Sequence, residues 1–171
     1  NGIYDSLFFF FSLQTIIYGC SGFLFGTYNV GVNGEFATLT DALTSLSLCG
    51  QDGDIVFALE SGVYNESWDF SNMQNNHNIT ILSAAMHHDS VILLPTLEYG
   101  IQLKNTTNIS VSHITIDAAT NNKQKGVWIT SDASDINISH CKILVNTTTT
   151  DSKFAAIHKE SDKSGFLNNC R

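Results

Sequence analysis

The stretch Asn108–Asp117, N-I-S-V-S-H-I-T-I-D, returns as Asp135–Leu144, D-I-N-I-S-H-C-K-I-L. Ile109, Val111, Ile114 and Ile116 fall on Ile136, Ile138, Cys141 and Ile143, all at one constant offset in the chain (136 − 109 = 27). Each copy holds two short alternating strands with the polar pair Ser-His between them. A repeat of this length, made of strands and not helices, predicts a β-solenoid. Its inward positions would form aliphatic ladders, Ile109 on Ile136 and Val111 on Ile138, with strands of successive rungs stacked in parallel.

The pattern spreads outward from there. Gly100-Ile101-Gln102-Leu103 matches Gly126-Val127-Trp128-Ile129, and Ala155-Ala156-Ile157 is the third copy. Ile79–Leu82 lies in the same phase one rung before Ile109, and Val91–Leu94 ends at Pro95. These spacings give rungs of about three strands each, in an all-β parallel β-helix. A further rung begins at Gly165, where Asn168-Asn169-Cys170 takes the place of Ser139-His140-Cys141. The chain is expected to stop in mid-rung, as a piece of a longer protein.

Towards the N-terminus, Gly26–Val32 alternates as a strand and Asn33-Gly34 signals a turn. Thr38-Leu-Thr-Asp41 is a capping box, and Leu39, Ala42, Leu43 and Leu46 share one helical face. Gly50 would close this helix, which is placed to plug the end of a solenoid. Asp54–Glu60 reads as a strong strand; Ser61-Gly62-Val63-Tyr64 then turns into the alternating Trp68-Asp69-Phe70, with Trp68 in the core. Leu7–Tyr18 is an apolar run, too short for a membrane span of about 20 residues. It reads as the hydrophobic region of an export signal. The expected division is 1–25 as a signal-like segment and 26–171 as the β-helix domain. A link to membrane would run only through that first segment, with Cys20 loosely resembling a lipidation site.

Composition narrows the partners. Of the 171 residues 43% are hydrophobic and 14% charged, which excludes a disordered chain. The formal charge of −8 disfavours nucleic acid and anionic membranes. It also disfavours polyanionic sugars unless Ca²⁺ bridges the like charges. Cys20, Cys49, Cys141 and Cys170 lack C-x-x-C spacing, so neither a zinc site nor a redox dithiol is indicated. Cys49, Cys141 and Cys170 read as buried thiols outside any disulfide.

Residues 28–43, Y-N-V-G-V-N-G-E-F-A-T-L-T-D-A-L, 49–66, C-G-Q-D-G-D-I-V-F-A-L-E-S-G-V-Y-N-E, and 78–83, N-I-T-I-L-S, carry a resemblance. Together they resemble the start of secreted bacterial right-handed parallel β-helix proteins of the pectin-lyase-like superfamily. The middle piece is similar to the strand and turn that pectin methylesterases carry. The resemblance implies a right-handed β-helix with an N-terminal cap. Its members include polysaccharide-active enzymes and large surface proteins with no assigned reaction.

Polysaccharide hydrolases need two acids facing one sugar, lyases a base and usually Ca²⁺-binding acids. No such constellation is legible. Asp117 stands alone, its counterpart one rung on being Leu144; Asp132 and Asp135 lie in a turn; the only Arg is Arg171. Asp151, Glu160 and Asp162 are weighed as Ca²⁺ ligands and set aside in favour of loop acids. His113 and His140 would stack one rung apart at a turn, a polar ladder and not a metal pair. His87-His88-Asp89 reads as a loop. The six Asn-x-Ser/Thr sequons, at Asn65, Asn78, Asn105, Asn108, Asn137 and Asn146, reflect strand and turn composition. Trp128 alternates out of phase with Val127 and Ile129, so it should face outward beside Gln102, with Lys104 further along that strand. A loop at 118–125 could cover it; left open, it could stack on a sugar ring.

The expectation is therefore an extracellular or cell-surface module, monomeric, without catalytic residues, metal or cofactor. It would serve as a glycan-binding, adhesion or structural scaffold through Trp128, Gln102 and Lys104. The alternative is the N-terminal part of a lyase, hydrolase or carbohydrate esterase whose catalytic rungs lie downstream.

Overall fold

The structure is a computed structural model that describes residues 22–73, 75–130, 132–146, 154–160 and, for the backbone, 165–168. Leu7–Tyr18, Cys20, Asp151, Asp162, Asn169, Cys170 and Arg171 lie outside the described residues.

One helix and fourteen strands are formed by the described residues. In order they are β1 (Leu24–Val30), α1 (Leu39–Cys49), β2 (Gln51–Leu59), β3 (Gly62–Tyr64), β4 (Trp68–Asp69), β5 (Ile79–Ser83) and β6 (Val91–Leu93). Then follow β7 (Tyr99–Lys104), β8 (Thr107–Ser112), β9 (Thr115–Asp117), β10 (Lys125–Thr130) and β11 (Ser134–Ser139). The last are β12 (Lys142–Leu144), β13 (Ala155–Lys159) and β14 (Gly165–Asn168). The first sheet runs β1-β2-β5-β8-β11-β14, the second β3-β6-β9-β12 and the third β4-β7-β10-β13. From β2 onward the chain visits first, second and third sheet in turn, and every strand pairs in parallel with the one a circuit away.

The register explains the burial. Ile55, Ile79, Ile109 and Ile136 form one inward ladder of the first sheet; Phe57, Ile81, Val111 and Ile138 form the next. All eight are fully or almost fully buried. Tyr64, Leu93, Ile116 and Ile143 do the same in the second sheet, and Trp68, Ile101, Val127 and Ile157 in the third. Removing each such side chain from water contributes about 1.5–3 kcal/mol before chain entropy is counted. Gly100 and Gly126 let the third sheet close onto the second. A Cβ on Gly100 would lie 2.5 Å from Ile116 Cγ2, and one on Gly126 would land on Ile143.

The corners repeat as strictly as the strands. Asn105 and Asp132, Asn108 and Asp135, and His113 and His140 all have φ between +48° and +58°. Each pair keeps the offset of the opening repeat (132 − 105, 135 − 108 and 140 − 113). Asn, Asp and His tolerate this left-handed region better than other side chains. Asn105 Nδ2 donates to Asn72 Oδ1 at 3.1 Å, so amides stack along one corner.

The helix forms as its sequence signals. Thr38 Oγ1 accepts from Asp41 N–H at 3.0 Å and Gly50 N–H donates to Leu46 O at 2.8 Å. Glu66 adds a cap from outside, its carboxylate accepting from Leu39 N–H and Thr40 N–H at 3.2 and 3.0 Å, where the helix dipole favours negative charge. The buried face packs on β1, β2 and β4. Two expectations are corrected. The first strand starts at Leu24 and ends at Val30, because Gly31–Gly34 turns on a Gly34 N–H to Gly31 O bond of 3.1 Å. Cys49 is half-buried and disulfide-bonded, because it stands at the helix end where the chain turns back beside β1, not inside the core.

Candidate functional site

Two surfaces gather polar and aromatic side chains. The first is the outer face of the third sheet. Asp69, Gln102, Trp128 and His158 occupy one row across β4, β7, β10 and β13. Trp128 and Gln102 are therefore neighbours, as their phase predicts. Lys104, two positions further along β7, is exposed and pairs with Thr130, so it flanks this row without belonging to it.

Trp128 is half-buried, and its ring contacts are with strand residues, Lys125 at the start of β10 and Tyr99 at the start of β7. The Lys125 ammonium lies 4.3 Å from the indole centroid, a cation–π contact. The Tyr99 ring stands 5.9 Å away at 55°. Trp128 Nε1 donates to Glu160 Oε1 at 3.0 Å, and His158 Nε2 lies 3.3 Å from the same oxygen. Glu160 is thus engaged with this row. Burial, the nearby Asp69 charge and a hydrogen bond to Asp69 raise the Tyr99 pKa and keep its hydroxyl protonated. The sequence reading missed Tyr99, Asp69, Lys125 and His158, and weighed Glu160 only as a Ca²⁺ ligand or loop acid. For all but Lys125, which shares β10 with Trp128, the signal was the register, which brings positions from different circuits side by side.

The second surface is the corner between the first and second sheets. In two circuits this corner is two residues long and led by a histidine, His113 and then His140. Their rings stack face to face, centroids 4.7 Å apart and planes 3° apart. The circuit before them has a longer corner, residues 84–90, ending in a single 3₁₀ turn at His88–Ser90. That excursion stands beside the stacked pair. Thr115 Oγ1 donates to His88 O at 3.0 Å, and Lys142 Nζ lies 3.9 Å from Asp89 Oδ1. His87, His88, His113, His140 and Lys142 line one groove of about 750 Å³.

Within it, His88 Nδ1 is 2.9 Å from Asp89 Oδ1, and His87 Nδ1 accepts from Asp89 N–H at 3.3 Å. The His113 pKa is lowered, first by burial and then by His140, His88 and His87, so the ring is neutral at pH 7. Its Nδ1 is buried with no hydrogen-bond partner. Among the described residues, His87, His88 and Asp89 are a set that could hold a metal ion, one ligand atom from each lying within 4.8 Å of the others.

The remaining acids take structural parts. Asp117 accepts from Thr120 N–H and Oγ1 at 2.9 and 2.7 Å, and Asp132 and Asp135 occupy left-handed corners. Cys141 is buried, its Sγ 3.3 Å from Ser139 O. Among the described residues no helix is long and apolar enough to cross a membrane. Comparison of the chain with known protein families, curated proteins and solved structures returns no match.

Proposed function

We propose that the chain is a stretch of right-handed parallel β-helix of the pectin-lyase-like kind, working outside the cell as a glycan-binding module. The solenoid reading rests on three parallel sheets visited in fixed cyclic order. Right-handedness follows from the near-universal hand of parallel crossover connections. The Cys49 disulfide favours an oxidising compartment, as does the signal-like run Leu7–Tyr18.

The observation that carries the binding reading is the row Asp69, Gln102, Trp128, His158 on one flat outer face, with Tyr99 and Lys125 beside it. An indole with polar neighbours offers a ring to the apolar face of a sugar and hydrogen bonds to its hydroxyls. The carboxylates here support binding over hydrolysis. Asp69 is held by Tyr99 and by Ser71 N–H at 2.8 Å, and Glu160 by Trp128 and His158. The charge of −8 favours a neutral glycan.

A glycan array, followed by titration of the best neutral oligosaccharide, tests this. Trp128→Ala should weaken binding roughly tenfold, the worth of one good aromatic contact. Unchanged affinity in that variant would remove the role of this face. Release of shorter products during the titration would favour a polysaccharide-active enzyme instead.

A further inference from the structure

We propose that the corner groove between the first and second sheets binds one divalent transition-metal ion of the Zn²⁺ class. His87, His88 and Asp89 are its ligands, at the side of a groove that His113 also lines. The inference is independent of glycan binding, which uses a different sheet.

The donor set decides the class of ion. Imidazole nitrogens with one carboxylate suit Zn²⁺ and its neighbours, whereas Ca²⁺ and Mg²⁺ demand oxygen ligands. Three donors within 4.8 Å of one another need only small side-chain rotations to close on one ion. The Asp89 carboxylate can only accept, so His88 carries its proton on Nδ1. An ion held by both side chains replaces that proton: His88 shifts it to Nε2 and coordinates through Nδ1, which already lies 2.9 Å from Asp89 Oδ1. The bond that His87 Nδ1 accepts is long at 3.3 Å and lies at an exposed residue, so a metal displaces it at little cost.

His113 supplies the second, separate observation. Its Nδ1 is buried with no hydrogen-bond partner, and buried nitrogens are rarely left so. A solvated polar corner accounts for His87 and Asp89 but not for that nitrogen. The competitor for the site is the Lys142 ammonium, 3.9 Å from Asp89 Oδ1 and 43% exposed, which can move to solvent when the ion enters.

The test is equilibrium dialysis of the untagged 171-residue protein against Zn²⁺ alone, with Co²⁺ absorption as a second readout. The expected result is about one equivalent bound, with a Kd on the order of 1 μM. His88→Ala should abolish binding and His87→Ala weaken it at least roughly tenfold. His77→Ala, outside the groove, should bind as the parent does. Circular dichroism identical to the parent shows that the variants fold. Binding of Co²⁺ should produce the intense visible bands of a low-coordinate nitrogen-ligated ion. No binding of Zn²⁺, or full binding retained in folded His88→Ala, would overturn the proposal.

Discussion

The outer face of the third sheet and the corner between the first two are made by the same device. Strand register brings side chains from successive circuits together. They differ in what the neighbours leave unused. On the sheet face, Trp128 already has its N–H on Glu160 and an ammonium over its ring, and Asp69 is held by Tyr99. At the corner, the histidine rings touch mainly one another, and His113 Nδ1 touches no partner at all. A stacked repeat therefore orders a surface without deciding its chemistry. What decides it is whether each polar atom finds a partner inside the protein. The sheet face is a satisfied platform suited to a large weak ligand, and the corner is an unsatisfied cluster suited to a small one.

The largest effect should come from the core on which both surfaces rest. Ile81 is fully buried between Phe57 and Val111 in the first sheet. Ile81→Ala should cost about 3 kcal/mol in denaturant unfolding, through lost burial and a residual cavity. It should weaken glycan and metal binding in parallel. Loss of one alone would mean that the two surfaces are not coupled through this core.

A second prediction separates the ends of the pH range. Tyr64 is buried, and its hydroxyl lies 2.9 Å from both Val30 O and Glu60 O, either of which can accept its one proton. Burial, with Glu60 and Glu66 nearby, pushes its pKa up to about 12 from 10.0. The protonated form is the favoured one, so its contribution is complete below pH 10 and is lost as pH rises towards about 12. Tyr64→Phe should cost about 1 kcal/mol at neutral pH and flatten that alkaline limb.

His113 runs the other way. Its pKa is lowered in the folded state, so its contribution is present above the ordinary 6.5 and is lost as pH falls through and below that value. The rings facing it are His140, His88 and His87, with Asp89 and Lys142 at the groove's edge. His113→Asn should reduce the acid sensitivity of the thermal midpoint. An unchanged acid limb would show that the ring is solvated.

The smallest effect belongs to the sheet face. Glu160→Gln keeps an acceptor near Trp128 Nε1 and should change stability by no more than about 0.5 kcal/mol. Trp128 fluorescence should still shift, because the charge beside the indole is gone. A larger loss of stability would mean that the Glu160 contacts hold β13 in place.

The first-sheet ladders were legible because alternation and a fixed spacing report the same thing. Ile109, Val111, Ile136 and Ile138 are apolar at period two and recur at one constant offset, and the structure pairs them so. The cap at Thr38 and the stacking of His113 on His140 were legible for similar local reasons. The groove was not. His87, His88 and Asp89 fall in an excursion of irregular length, where spacing carries no register, so nothing in the string set them beside His113. Cys49 was misread because the spacing of four cysteines does not show which of them pair. Two partners of Trp128 escaped because Tyr99 and Glu160 come from the circuits on either side and meet it only once the strands are stacked.

The sequence alone determined which side chains face inward and how far apart successive circuits lie. Burial enforces that pattern at every position, and a one-residue slip would turn the whole ladder to solvent. The tertiary structure alone decided which outward groups meet and which lone pairs stay free. Those depend on corner lengths and sheet approach, such as the closure allowed by Gly100 and Gly126, and no local preference encodes them.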